Sequence, residues 1–254
     1  MKHILFSLFF FLSHLFSQSD LEKANLAYTS RSSESIKNKA SESQILLAIQ
    51  YYLAAIENES SHQASIGILK SYYYYGKFVL DDNDEKKKIF NKAVRLGEKF
   101  IIEYPDSPGI RYWYLVNLGS WAEVYGVIAA ARSGFADTMK AHSEKIIELD
   151  NKYNDGGGYF MLGVVHLRAP YVPFFLSWPD KNKAEQLLKS AATTGKFTLP
   201  QKFNYAKSLY ENNNKKEAFV ILQEIIQSTP TGENRVEMWD QIIEAKQYME
   251  NIKD

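Results

Sequence analysis

The spacing of the apolar residues restricts the fold most, because it is helical over nearly the whole chain. Ile45, Ile49 and Tyr52 fall on one face of a helix, and Met139 and Ile146 lie seven residues apart on another. No stretch alternates apolar and polar residues for long enough to predict a strand. Clusters of Pro, Asn, Asp and Gly separate the helical segments. The pattern predicts an all-α protein of about ten helices, joined mostly by short turns.

Small residues recur within these helices, most clearly in residues 199–232. This stretch predicts two helices, with Ala206 in the first and Ala218 and Leu222 in the second. Two antiparallel helices approach closely only where small side chains face each other. We therefore predict that Ala206 and Ala218 lie at the crossing, while Leu222 fills the groove between the helices. Pro230 follows the second helix and cannot continue its hydrogen-bond ladder.

The same arrangement occurs three more times along the chain. It is found at Ala48, Tyr52 and Ala55, at Ala93, Gly97 and Phe100, and at Leu162 and Gly163 with Ala184, Leu188 and Ala191. A unit of about 34 residues with this order resembles the tetratricopeptide (TPR) repeat. The resemblance implies a TPR-like α-α superhelix, or solenoid, over residues 20–254. An irregular helical bundle is the alternative that the spacing leaves open.

The amino terminus has the layout of a secretory signal peptide. The short basic start Met1-Lys2-His3 precedes an almost wholly apolar run from Ile4 to Phe16. We predict a signal peptide in residues 1–19, with cleavage between Ser17 and Asp20. The apolar run is shorter than the roughly 20 residues that a spanning helix needs, and no later segment is long enough. An uncleaved anchor or a buried amphipathic helix is the alternative to an exported chain without a membrane span.

Charge and cysteine content restrict the function further. Lys and Arg together number 30, as do Asp and Glu, and the longest basic run is Lys86-Lys87-Lys88. A nucleic-acid-binding protein concentrates positive charge, so nucleic acid is not expected as a partner. The chain has no cysteine. This excludes disulfides, thiolate metal sites and a lipid-modified cysteine, so we expect an exported, soluble protein rather than a lipoprotein.

A series of motifs in the middle of the chain resembles a known family. In order, they are Tyr104-Pro105-Asp106-Ser107-Pro108-Gly109, Leu149-Asp150-Asn151-Lys152-Tyr153, Gly156-Gly157-Gly158, Leu162-Gly163, Ala169-Pro170 and Lys183-Ala184. The series is similar to that of the TatT-type TPR proteins, which accompany tripartite ATP-independent periplasmic (TRAP) transporters. The resemblance extends from about Ile45 to Ser228 and is most specific between Tyr104 and Ala191.

This resemblance implies a periplasmic protein that works beside the substrate-binding protein of a TRAP importer. It also implies a solenoid closed around an internal cavity, which holds a small apolar or carboxylate ligand, and assembly into small homo-oligomeric rings. Two features depart from the family. Many members are lipoproteins, whereas this chain lacks the cysteine, and the segment 169–179 is more aromatic than the family's glycine-rich link. The alternative function is a general TPR assembly or interaction protein of the envelope, with no transport role.

The aromatic segment 169–179 is the first candidate for a ligand or partner site. Its three prolines prevent a helix, and it carries four large aromatic side chains. These are Tyr171, Phe174, Phe175 and Trp178. Exposed together they would form an apolar patch that soluble monomers rarely tolerate. We expect them to cover a ligand, a partner or the protein's own core.

A second candidate site lies on the helix predicted to start near Pro108. Trp113, Trp121 and Tyr125 belong to this helix, and the eight residues between the two tryptophans place them on neighbouring faces. They are predicted either to line one cavity wall or to pack in the core. Gly119 and Gly126 in the same helix would be explained by a close helix contact or by such a wall.

Three arginines are the cations nearest to these aromatic segments in the sequence. They are Arg111, Arg132 and Arg168. A guanidinium group forms two parallel hydrogen bonds with a carboxylate. We therefore expect one of the three to receive the carboxylate of a ligand.

Catalytic motifs are missing from the sequence. His62, His142 and His166 have no metal-binding spacing, and His142 falls on an apolar stripe typical of a core histidine. Residues 119–121 lack the second glycine of a nucleophile elbow. The three glycines at 156–158 lack the Gly-Lys-Ser/Thr of a phosphate loop and indicate a flexible turn. We predict no catalytic residue, metal or cofactor, and a protein that is not an enzyme.

Overall fold

The structure is a computed structural model that describes residues 18–59, 61–126, 134–170 and 176–252. Nearly all of the predicted signal peptide, residues 1–17, lies outside these ranges. The described ranges contain eleven α-helices and no β-strand. The helices are α1 (Asp20–Thr29), α2 (Ser43–Glu59), α3 (His62–Tyr74), α4 (Asn83–Glu103), α5 (Pro108–Tyr125), α6 (Phe135–Leu149), α7 (Tyr153–Arg168), α8 (Lys181–Thr194), α9 (Leu199–Glu211), α10 (Lys215–Ile226) and α11 (Arg235–Asn251). The all-α prediction is confirmed.

Polar residues at the helix starts explain why several helices begin where they do. The Ser19 hydroxyl accepts a hydrogen bond from the Glu22 backbone, and the Glu22 carboxylate accepts one from the Ser19 backbone. Ser107 caps α5 in front of Pro108. Proline is tolerated at the first helical position, because an N–H group there would have no acceptor within the helix. Asp180 caps α8 in the same way as Ser107 caps α5.

The helices pack in the order of a helical-repeat protein. Each described helix contacts the next one along the chain. The helices can therefore be grouped into five pairs, from α1–α2 to α9–α10, and α11 follows the last pair. The first helices of successive pairs also contact one another, from α1 to α3 and onward to α11. Neighbouring pairs therefore stack through both kinds of contact, which gives the predicted solenoid-like superhelix.

The small residues lie where the helices cross. Ala206 and Ala218 are fully buried between α9 and α10, and so is Leu222. A Cβ atom added to Gly163 in α7 would lie 2.7 Å from Cγ of Leu188 in α8. The backbones of these pairs therefore approach more closely than larger side chains would allow.

The three consecutive glycines belong to a tightly packed turn at the start of α7. Residues 154–156 all have left-handed backbones, with φ angles of 48°, 56° and 81°. The Asp155 side chain accepts a hydrogen bond from the Lys196 backbone. A Cβ atom on Gly157 would lie 2.6 Å from the Tyr112 ring. Close packing, rather than flexibility, explains why glycine is needed here.

The two ends of the superhelix meet, because α11 packs against the segment that follows α1. Val236 of α11 is fully buried in the apolar cluster built by the first two helix pairs. The Arg235 guanidinium donates hydrogen bonds to the backbone carbonyls of Ser32 and Ser33. The described helices therefore form a closed ring of helix pairs.

Arg31 is the most buried charged residue at this closure, with 3% of its side chain exposed. Its guanidinium lies 2.8 Å from the Glu237 carboxylate and 2.5 Å from the Asn234 side-chain oxygen. It also donates to the Tyr28 carbonyl and stacks over the Tyr28 ring. A buried guanidinium needs such partners, since an unpaired charge is costly away from water. Arg31 thus joins residues about 200 positions apart in the sequence.

Candidate functional site

The first helices of the pairs and α11, with the turns that follow α1 and α3, carry a set of side chains that interact from one helix to another. We call this set the inner surface. Its charged members are Arg31, Lys70, Lys77, Glu123, Arg168, Lys207, Glu237, Asp240 and Glu244, and its aromatic members are Tyr28, Tyr73, Trp113, Phe203 and Tyr248. Charged groups on different helices of the inner surface shift one another's pKa values. Glu123 on α5, for example, contributes to the raised pKa of Lys77 and Glu244 and opposes the lowering of the Lys207 pKa by burial.

Ion pairs connect separate helices on the inner surface. Lys77, which follows α3 in a π-helical turn, lies 3.5 Å from Asp240 and 3.6 Å from Glu244 of α11. Although burial opposes its charge, these carboxylates raise the pKa of Lys77. Glu123 and Arg168 form a 3.1 Å pair between α5 and α7, and both side chains are about half exposed. The inner surface is therefore charged but largely balanced.

Glu237, a half-buried carboxylate of the inner surface, has one oxygen without a partner among the described residues. Burial raises the pKa of Glu237, an effect that the neighbouring Arg31 opposes. One carboxylate oxygen accepts from Arg31, while the other is buried with no hydrogen-bond partner in the described part of the chain. Glu244 also has a raised pKa because of burial. Buried polar atoms of this kind are rare in native cores.

The predicted tryptophan site divides into two environments. Trp113 is half-buried on the inner surface, where its ring centroid lies 6.0 Å from that of Tyr73 and 5.6 Å from the Lys70 ammonium. Trp121 instead donates a hydrogen bond to Asn91 of α4 and stacks on Tyr125 at 4.6 Å. Trp113 and Trp121 therefore do not line one wall. Trp121 and Tyr125 pack at the contact between α4 and α5.

The two predicted arginines within the described ranges are already engaged. Arg111 donates to the Pro105 carbonyl and to Nδ1 of His142, the latter at 2.8 Å. Arg168 is paired with Glu123. Arg132 lies outside the described residues. His142, predicted as a core histidine, is half-buried, with its ring 5.2 Å from that of Tyr114.

Trp178 covers the protein's own core. Its indole N–H donates to Asp137 at 2.8 Å, and its ring meets the His166 ring edge-on at 4.9 Å. Nδ1 of His166 in turn accepts from the backbone of Asp180. Tyr171, Phe174 and Phe175, the other members of the aromatic candidate site, lie outside the described residues.

Acidification is expected to destabilise the protein through His142 and His166. Burial lowers the pKa of both, because it disfavours the charged imidazolium, and Arg111 lowers the pKa of His142 further. The unfolded chain, with a histidine pKa of about 6.5, therefore binds more protons than the folded one. Their contribution is complete above that pH and is lost as the pH falls below it toward the lowered folded values.

Urea unfolding at pH 8 and pH 5 measures this effect. We expect the free energy of unfolding to fall less on acidification for the double variant His142→Gln, His166→Gln than for the wild type. Both proteins are compared with their own values at pH 8, which removes the direct cost of the substitutions. Equal losses in the two proteins would contradict the prediction.

A cavity of about 250 Å³ adjoins the inner surface. It lies between the π-helical turn, the start of α4 and the end of α5. Its lining residues are Gly76, Lys77, Asn83, Lys86, Phe90, Ser120, Glu123 and Val124. None of the predicted site residues is among these eight. Two lysines and one glutamate give it a polar, weakly basic lining.

Within the described ranges, no three His, Asp or Glu side chains are grouped so that they would hold a metal ion. The helices placed by the structure are each too short or too polar to cross a bilayer.

The fold and the inner surface define an all-α helical-repeat protein with a charged, aromatic concave face. No protein-family model matches the chain, and no curated protein matches it in sequence.

Proposed function

We propose that this chain is a TPR-type interaction protein that binds another protein on its inner surface and catalyses no reaction. One observation carries the proposal: the six helices α1, α3, α5, α7, α9 and α11 lie side by side in a ring whose ends are joined. Side chains from at least five of these helices meet on one face. Helical-repeat proteins use this kind of extended concave face to bind other molecules.

Closure of the ring favours binding because it keeps the face in one shape. A preorganised surface loses less conformational entropy on association than a mobile one. The aromatic side chains Trp113 and Tyr248 supply apolar contact area, while the half-exposed pair of Glu123 and Arg168 supplies polar contacts.

The proposed partner is the substrate-binding protein of a TRAP importer, and the proposed location is the periplasm. The resemblance of residues 104–191 to TatT-type proteins supports this partner, and the layout of residues 1–19 supports export. A general envelope interaction protein is the competing function. Genes for TRAP membrane and binding subunits beside the gene for this chain would favour the transport role.

Affinity purification of the full chain from its native envelope, followed by mass spectrometry, tests the proposal. We expect one protein to co-purify in stoichiometric amounts, and the proposed partner predicts a TRAP substrate-binding protein. The amino terminus of the purified chain is expected between residues 17 and 20. Failure to retain any protein, together with turnover of a substrate by the purified chain, would overturn the proposal.

Two double variants show whether the inner surface is responsible. Glu123→Ala with Arg168→Ala removes an ion pair between helices on the inner surface. Lys202→Ala with Glu224→Ala removes a comparable pair between α9 and α10. Exposed pairs of this kind contribute at most about 1 kcal/mol to stability, so both variants should fold. We expect only the first to reduce the amount of captured partner; equal capture by both would place the interface elsewhere.

A further inference from the structure

Each carboxylate of the inner surface and its rim forms an ion pair with a described cation. Glu237 and Glu233 lie 2.8 Å and 3.7 Å from Arg31. Asp240 and Glu244 lie 3.5 Å and 3.6 Å from Lys77, and Glu123 lies 3.1 Å from Arg168. These pairs occupy three of the five inner cations. The other two, Lys70 and Lys207, form no ion pair or hydrogen bond with any described residue.

Lys70 is held against aromatic rings instead of a carboxylate. Its ammonium lies 4.7 Å from the centre of the Tyr28 ring and 5.6 Å from that of Trp113. Burial lowers the pKa of Lys70, and Arg31 lowers it further, while Glu233 and Glu237 oppose this change. Lys70 is partly exposed, and no described residue accepts a hydrogen bond from its three N–H donors.

Lys207 repeats this arrangement between α9 and α11. Its ammonium lies 5.4 Å from the centre of the Phe203 ring and 5.2 Å from that of Tyr248. Burial lowers the pKa of Lys207, and so does Arg168, against the opposing carboxylates of Glu244, Glu211 and Glu123. Two partly desolvated ammonium groups thus lack a partner on a surface where every acid has one.

We propose that Lys70 and Lys207 bind two carboxylates of one extended acidic segment of the partner protein, an inference that rests on the function proposed above. A carboxylate would accept hydrogen bonds from an ammonium that has already lost part of its hydration, and the aromatic rings would exclude water from the contact. The arginines predicted from the sequence are poorer candidates, because Arg111 and Arg168 are engaged.

The spacing of the two lysines favours a polypeptide over a small dicarboxylate. Helix α11 passes both: its Glu237 pairs with Arg31, which lies over the same Tyr28 ring as Lys70, and its Tyr248 contacts Lys207. Eleven residues of helix correspond to roughly 16 Å. An extended chain covers this distance in about five residues. A short dicarboxylate would reach only one lysine, whereas two acidic residues about five positions apart would reach both.

Peptide titrations test the inference on the full chain. The probe is a flexible synthetic peptide of Gly and Ser with two glutamates five positions apart, and its control replaces both glutamates by glutamine. We expect only the acidic peptide to bind and to shift the ε-methylene NMR signals of Lys70 and Lys207. Lys70→Gln and Lys207→Gln should each weaken binding roughly tenfold, because each removes one charge-assisted contact. Lys99→Gln, an exposed change on α4, should leave affinity unchanged.

Three results would overturn the inference. The acidic peptide fails to bind the wild type, the two inner variants bind it as Lys99→Gln does, or succinate binds as tightly as the peptide. The last result would assign the lysines to a small carboxylate. If Lys70→Gln, Lys207→Gln and the wild type capture equal amounts of partner protein, the inference is wrong and the proposed function stands. Lysine-dependent peptide binding without any captured partner protein would contradict the proposed function, while Lys70 and Lys207 would still be carboxylate-binding residues.

Discussion

Replacing Arg31 by methionine should lower the free energy of unfolding by about 3–5 kcal/mol, since removing one partner of a buried ion pair leaves the other charge uncompensated. Arg31 is 3% exposed. It binds Asn234 and Glu237 at the start of α11 and also the backbone carbonyl of Tyr28 in α1, so it connects the last helix to the first. Urea unfolding followed by circular dichroism measures the change. Arg95→Met, an exposed arginine of α4, is the matched control and should change stability by less than about 0.5 kcal/mol.

A second substitution shows whether the loss comes from the buried pair itself. In Arg31→Met with Glu237→Leu, the uncompensated carboxylate is also removed. We expect this double variant to be more stable than Arg31→Met alone, because apolar replacement of a whole buried pair is often nearly neutral. A double variant that loses the sum of both single effects would show that Glu237 contributes independently of Arg31.

The same glycine-to-alanine change should have opposite effects at two helix positions. At Gly163 the new Cβ would lie 2.7 Å from Leu188 Cγ and 3.2 Å from the Leu188 backbone nitrogen, so α7 and α8 must separate. We expect a loss of about 2 kcal/mol, which is typical of overpacking. At Gly119 no atom of the described residues lies within 4 Å of the added atom. There we expect a gain of about 1 kcal/mol, since alanine favours a helix more than glycine does.

Thermal or urea unfolding of both variants gives this difference of about 3 kcal/mol directly. Each variant serves as the control for the other, because the chemical change is identical. A stabilised Gly163→Ala variant would mean that α7 and α8 are packed less closely than in the structure. A destabilised Gly119→Ala variant would indicate a contact on that face of α5, for instance with a second molecule.

The helix pairs could be predicted because the signals that specify them are local. Ala206, Ala218 and Leu222 lie within one unit of the chain, and their spacing alone indicates which faces meet. All three are fully buried at the expected crossing. The glycines at 156–158 were harder to interpret, because a flexible turn and a packed turn have the same composition. The contact of Gly157 with Tyr112, about 45 residues away, distinguishes the two.

The inner surface could be predicted only in part. Trp113 was expected at a cavity wall or in the core, and it lies half-buried on the inner surface, whereas Trp121 and Tyr125 face α4. Lys70 and Lys207 were not singled out. Lysine is common on exposed helix faces, and no local pattern shows which of them point toward the centre of a ring.

By itself, the sequence determined the helices, their pairing and the small residues at their crossings, because each depends on side chains a few residues or one helix apart. Only the tertiary structure decided that the ends of the superhelix meet, through Arg31, Glu237 and Val236. It also decided which cations stay unpaired. Both outcomes depend on small rotations between successive helix pairs, which add up over the whole chain and appear in no single segment of it.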